Sequence, residues 1–449
     1  MQEEERVTDR SPADGSATVP HVATPADATD ARWAWVAPEV WTPRMLTALA
    51  QGVRGGRWHT LIDKVYALPT LRAAFTRVQA NRGAPGVDHV TVAMYATRLD
   101  ANLAALSTSL RDGTYRPQAI RRHWIPKGPH ERRPLGIPTV RDRVVQTALR
   151  MVLEPICETT FAPHSYGFRP RRSTKDALRR VVTLLQDGYR YVVDADLQGY
   201  FDSIPHAPLQ ARVASKISDG RVLALVDAFL SQPIFEGLAQ WTVDEGTPQG
   251  AVISPLLANL YLDPLDHAVA AAGFEMVRYA DDFVILCRTA EEATAALALI
   301  HHWTEAAGLR LHPTKTHLVD MQAPGGFDFL GYHFEHGQRW PRKKSVQKLK
   351  DAVRQKTRRT HGHSLASIIA DLNRTLVGWL AYFKHSHRPF NSLDGWIRMR
   401  LRSILRVRAH QRGRGRGRDH QRWPVAFFTA QGLFSLHAAH AAFRQSCRR

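Results

Sequence analysis

Two adjacent acids raise the first chemical question in this sequence. In "RYADDFVIL", Arg278 to Leu286, Asp281 and Asp282 stand between Tyr279 and the apolar run Phe283 to Leu286. Burial and mutual repulsion both raise the cost of ionising two carboxylates so placed. Asp tolerates turns, so a solvated hairpin tip would explain the pair cheaply. A third acid shifts the balance. In "DADLQGYFDSIPH", residues 194 to 206, Asp196 ends a β-branched strand, and alternation sends Asp194 and Asp196 to one face of it. If that strand lies beside the hairpin, Asp196 converges on Asp281 and Asp282. Three carboxylates with no cation among them call for metal, and hard oxygen donors suit Mg2+. Two such ions ~4 Å apart clamp the attacking and leaving oxygens of an in-line phosphoryl displacement. The chemistry expected is nucleotidyl transfer with two Mg2+ ions.

The elements that must hold these acids read as an α+β plan. Residues 189 to 197, "YRYVVDADL", form a buried strand, and "FEMVRY" and "FVILC" flank the Asp pair as two more. "PLLANLYLDPLDHAVAAAG" (255 to 273) has helical spacing, as does "AEEATAALALIHHWTEAAG", and "THLVD" and "FDFLGYHF" each read as one strand. Helical patterning with Gly stops occupies "TPRMLTALAQGV", "LPTLRAAFTRVQANRG" and "MYATRLDANLAALSTSLRDG". Beyond about residue 343, long amphipathic segments such as "SLASIIADLNRTLVGWLAYFKH" take over, in which Trp379, Tyr382 and Phe383 read as core. Pro205 opens a helix, and Asp202 is expected to cap it.

Charge points to a polyanion. The 449 residues carry a net charge of +20. Residues 1 to 30 hold seven acids against two arginines, so the remainder carries +25. Such an excess serves to neutralise phosphates, and nucleic acid is the expected partner. From Trp396 to Arg422 there are ten arginines and one Asp, including the alternation "RGRGRGR" with Arg412, Arg414, Arg416 and Arg418. A packed helix face cannot be built from that alternation; it reads as a contact to RNA phosphates. Residues 1–35 lack large apolar side chains over most of their length and read as a disordered acidic tail. Cys157, Cys287 and Cys447 show no metal or disulfide spacing. No apolar run reaches bilayer length and no secretory leader opens the chain, so the expectation is a cytoplasmic protein without a membrane partner.

Several motifs, in order, resemble those of reverse transcriptases. "RYADDFVIL" resembles their tyrosine-x-Asp-Asp motif, "DADLQGYFDSIPH" their first catalytic-aspartate motif, and "EGTPQGAVISPLLANLYLDPLD" (245 to 266) the Pro-Gln-Gly motif between them. "YRPQAIRRHWIPKGPHERRPLGIPTVRDRVVQTALRMVLEP" and "SYGFRPRRSTKDAL" are similar to bacterial group II intron-encoded proteins, reverse transcriptases that double as maturases. The resemblance implies a right-hand polymerase fold: a helical extension over 36–120, fingers and palm over 121–340, and a helical thumb with a basic maturase domain over 341–449. It implies Asp196 and Asp281 as metal ligands and Asp282 as third acid. Lys127 and Arg133, or the adjacent Arg132, would grip the triphosphate; Phe201 would exclude a 2′-hydroxyl; Gln249 and Gly250 would lie beside the nascent pair; Lys315 would protonate pyrophosphate. The implied partners are group II intron RNA, an RNA template with DNA primer, dNTPs and target DNA. A Cys/His-rich endonuclease segment is not expected. A maturase without polymerase activity, or a host-adopted reverse transcriptase in repair or phage defence, are the alternatives.

Overall fold

Local chemistry sets where the first helices begin. Thr42 accepts a hydrogen bond from the Met45 backbone N–H just ahead of Pro43, starting helix Pro43–Gln51. In helix Leu68–Ala80, Leu71, Ala74, Phe75 and Val78 share one buried stripe, which packs on helix Val140–Glu158. The computed structural model describes residues 32–447 apart from 127–131, 238, 243, 361, 412 and 414–416. Most of the expected tail, Lys127, Arg412, Arg414 and Arg416 therefore lie outside the described residues. Trp33, inside the span expected as tail, is only 2% exposed and belongs to the core, so packing begins earlier than composition suggests.

In chain order the strands are β1 (Ile120–Pro126), β2 (Arg132–Ile137), β3 (Tyr191–Asp196), β4 (Ile234–Glu236), β5 (Ala239–Trp241), β6 (Glu275–Tyr279), β7 (Asp282–Cys287), β8 (His317–Asp320), β9 (Phe327–Phe329), β10 (Tyr332–Glu335) and β11 (Gln338–Pro341). Among the described residues they make three sheets, ordered β2-β1-β4-β5, β6-β7-β3-β8 and β11-β10-β9. The middle sheet is antiparallel throughout. The single strand expected over "FDFLGYHF" is instead the β9–β10 hairpin. Leu330 and Gly331 have φ of 47° and 86°, and Phe329 pairs with Tyr332 across them. Two positive-φ residues in a two-residue loop match the twist of the flanking strands.

The β6-β7-β3-β8 sheet is apolar on both faces. Val193, Ala195, Phe283 and Ile285 join a first core containing helices Ser254–Ala271 and Ala290–Ala306. Val192, Val277, Val284 and Leu286 join a second core with β9, β10 and helices Lys343–Lys356, Leu365–Phe383 and Asn391–Arg408. Period-two alternation thus divides neighbouring residues between two cores. From Lys343 onward the described chain is helical. Phe383 is buried in the second core, and Trp379 and Tyr382 pack against it, as their spacing predicts. No described helix is long and apolar enough to cross a membrane. The α+β plan read from the sequence is the plan of the structure.

Candidate active site

Strand register brings the acids together. β3 and β7 are antiparallel neighbours, and Asp196 stands opposite Asp282. Asp282 also pairs with Tyr279, so the connecting turn is Ala280–Asp281. The adjacent acids are thereby divided: one on the turn, one on the strand. Asp194, opposite Val284, shares the face of Asp196. Burial first, then Asp281 and Asp196, push the Asp282 carboxyl up to about 7. Burial, then Asp282, Asp328 and Asp196, push Asp194 up to about 7 as well. Asp281 is also raised, chiefly by burial and further by Asp196. Desolvation and like charge both disfavour the ionised forms.

Asp194, Asp196 and Asp282 open on a cleft of about 950 Å3, whose walls also carry Arg133, Lys315, Asp328, Trp340 and Arg342. Among the described residues, no three His, Cys, Asp or Glu side chains already stand at metal-ligand spacing. Asp196 instead turns Oδ2 to the Nζ of Lys315, 2.5 Å away. The donor set is nonetheless suited to a hard divalent cation, because carboxylate oxygens held against their own repulsion gain from one. Lys315 is placed by an extension of the β3 edge. Leu197 bridges to Leu311, His312 N–H donates to the Asp196 carbonyl at 2.7 Å, and Lys315 N–H donates to the His312 carbonyl at 3.2 Å.

A second group of expected residues gathers where β2 meets the Pro248–Gly250 turn. On β2, Arg133 pairs with Ile125 of β1 and lines the cleft; alternation sends Arg132 to the opposite face. The Gln249 carbonyl accepts from Gly136 N–H at 2.6 Å, and its side-chain Nε2 donates to Asp202 Oδ2 at 3.0 Å. Asp202 is thus engaged with Gln249, and Pro205, which has no side-chain acceptor to offer, occupies the cap position of helix His206–Ala214. Gly250 has φ +108°, and a Cβ there would lie 2.4 Å from the Gly136 carbonyl. The backbone that approaches this glycine closely is the chain's own β2. Phe201 lies on the Tyr200–Asp202 turn, half-buried against the first core and edge-on to Phe168, with ring centroids 6.2 Å apart.

Sequence reading passed over the support behind the Ala280–Asp281 turn. Arg278 is fully buried; its Nε and Nη2 donate to the two Asp266 oxygens at 2.7 and 2.5 Å. Its Nη1 donates to Asn259 Oδ1 at 3.0 Å and to the Ala280 carbonyl at 2.8 Å. An arginine directly after the apolar Met276 and Val277 of a strand was the available signal. Away from the cleft, Arg418, the one described arginine of the Gly-Arg alternation, is exposed and begins the short helix Arg418–Arg422.

Comparisons with known proteins match two separate stretches of the chain. A family model described as "Reverse transcriptase (RNA-dependent DNA polymerase)" matches residues 125–334, and one described as "Group II intron, maturase-specific domain" matches residues 346–423. Protein YkfC of Escherichia coli (strain K12) is 36% identical over 293 residues, covering 55% of this chain and 75% of that protein. The group II intron-encoded protein LtrA of Lactococcus lactis subsp. cremoris is 43% identical over 162 residues, 36% of this chain and 27% of that one. A solved structure, a partial Cas6-RT-Cas1--Cas2 complex, matches at 24% identity and a TM-score of 0.36, over 55% of this chain and 41% of that chain.

Proposed function

This chain belongs to the group II intron-encoded reverse transcriptases with a maturase domain, and from that premise we propose that Asp196, Asp281 and Asp282 form its polymerase centre. The observation that carries the assignment is the β3–β7 register, which sets Asp196 opposite Asp282 beside the Asp281 turn. The three carboxylates would hold two Mg2+ ions, which when bound activate the primer 3′-oxygen and neutralise charge on the phosphates.

The chain's own residues supply the rest. The cleft admits a DNA primer on an RNA template, and Arg133, with Lys127, grips the triphosphate of a dNTP as guanidinium fork and point charge. Phe201 presents its ring at the sugar C2′ position, where a 2′-hydroxyl would clash. Gln249, its amide held by Asp202, lies beside the new base pair. As the 3′-oxygen bonds to the α-phosphorus, the bond to pyrophosphate breaks and Lys315 Nζ donates its proton to the departing oxygen. In the metal-free chain Asp196 lies 2.5 Å from that Nζ and holds the lysine at the edge of the site.

The helical part beyond Lys343, with Arg412, Arg414, Arg416 and Arg418, binds the phosphates of a group II intron RNA and supports splicing and insertion into target DNA in the bacterial cytoplasm. The division into an N-terminal extension to 120, fingers and palm to 340, and thumb with maturase domain beyond is part of the same proposal. The deciding experiment is primer extension on an RNA template with dNTPs and Mg2+, comparing wild type with Asp281→Ala. Extension by the variant near the wild-type rate would overturn the assignment.

A further inference from the structure

We infer that Arg278, clamped by Asp266 and Asn259, is a positioning residue that fixes the Ala280–Asp281 turn so that the Asp281 carboxylate is set for metal; this rests on the polymerase reading above. The turn has no slack of its own to set that carboxylate. Ala280 holds φ 62°, a left-handed conformation that a side chain with Cβ adopts only when its surroundings impose it.

Those surroundings come from three segments. The guanidinium spans helix Ser254–Ala271, through Asp266 and Asn259, and the turn, through the Ala280 carbonyl, with bonds of 2.5 to 3.0 Å. Arg278 is 0%, Asn259 1% and Asp266 5% exposed. The third segment is 164–167. Arg278 N–H donates to the His164 carbonyl at 3.0 Å, and Tyr166 N–H donates to the Arg278 carbonyl at 2.8 Å. Asn259 Nδ2 donates to the Gly167 carbonyl at 2.7 Å. Gly167 lies so close to the turn that a Cβ on it would sit 2.2 Å from Ala280 N. The same asparagine therefore ties both the arginine and the segment that presses on the turn.

A buried ion pair is poor evidence of a stabilising purpose, because well-packed apolar residues of similar volume usually hold a fold as well or better. An apolar pair cannot hydrogen-bond the Ala280 carbonyl. Stability and positioning thus make opposite predictions for one variant, Arg278→Met combined with Asp266→Leu. Partners one step removed from a metal ligand cost about 10- to 100-fold in metal affinity or activity when removed.

The test uses the full chain and two readouts: Mn2+ binding by electron paramagnetic resonance without nucleic acid or nucleotide, and steady-state primer extension. The double variant should melt cooperatively near the wild-type temperature and bind primer–template unchanged. Its Mn2+ affinity and kcat should each fall about 10- to 100-fold, with KM for dNTP unaltered because Arg133, Phe201 and Gln249 are untouched. A folded double variant with wild-type Mn2+ affinity and kcat overturns the inference. If the double variant does not fold, Arg278→Lys decides. One ammonium cannot span Asp266, Asn259 and the Ala280 carbonyl, so reduced Mn2+ affinity at preserved melting supports positioning and wild-type affinity overturns it. A wild type that binds Mn2+ but extends no primer, with affinity lost in the variant, upholds the positioning and overturns the polymerase reading. A wild type that binds no Mn2+ overturns both.

Discussion

The two sides of the β6–β7 turn use the same kinds of ion in opposite ways. In front, Lys315 and Asp196 meet at 2.5 Å with their side chains 53% and 29% exposed. Behind, Arg278 and Asp266 meet at the same distance with 1% and 5% exposed. Water screens the first pair, so its parting costs little, and Asp196 can exchange a lysine for a cation. Parting the second would strand a buried charge, which is strongly unfavourable. One pair is built to open and the other to stay shut. The metal site proposed here would need both, one pair to admit the cation and one to keep its support in place.

The sharpest break in this contrast is on the turn itself. Asp281→Ala should abolish primer extension while leaving RNA binding intact, as measured by extension and filter-binding assays on the same preparations. On the front pair, Lys315→Ala should lower kcat by about 10²- to 10⁴-fold, the range for a lost general acid, with little change in primer–template affinity. A loss of affinity alone would make the lysine a mere phosphate contact.

Acidity sharpens the contrast further. Asp282 and Asp194 are pushed up to about 7, well above the unfolded value of about 4. The folded chain therefore holds those protons more tightly than the unfolded one. In the metal-free protein, the stability they contribute is present at acid pH and is lost as pH rises from about 4 through 7. Mg2+ should recover it at pH 8 and have little effect at pH 5, where protons compete for the carboxylates. Thermal midpoints at the two pH values, with and without Mg2+, check this; an equal Mg2+ shift at both would contradict it. Phe201→Ala should relax the ratio of dNTP to rNTP incorporation efficiency, and an unchanged ratio with activity retained would return the ring to a packing role. The smallest effect is expected from replacing Arg412, Arg414, Arg416 and Arg418 by Gln. The slope of log affinity for intron RNA against log salt should flatten by roughly 0.7 to 0.9 per lost contact, with short primer extension little changed. Coincident slopes would mark the run as solvated.

Alternation made the front of the site legible. Asp196 and Asp194 on one face, and β-branched residues on both sides of the sheet, follow from a period of two and a strand buried on both faces. The back was not legible. Asn259 and Asp266 lie two helical turns apart on one stripe, and only the packing of that helix on β6 brings them to Arg278. Nothing local to "RYADD" names those partners. Gly250 shows an intermediate case: its need for close backbone approach could be read, but the identity of the approaching strand could not. The β9–β10 break was signalled by Gly331, yet apolar residues continue through it and mask the turn.

The sheet that carries the acids is sandwiched between two cores, and the ribosome delivers those cores at different times. Residues of the first core all precede residue 310, whereas helices of the second run to Ser446. At about 5–20 residues per second, the stretch from Lys343 onward takes roughly 5–20 s to synthesise. During that interval the side of the sheet bearing Val192, Val277, Val284 and Leu286 lacks much of its final cover. The nascent polypeptide should therefore engage chaperones most strongly after its catalytic motifs have emerged, and a premature stop near residue 343 should yield aggregate rather than a minimal polymerase.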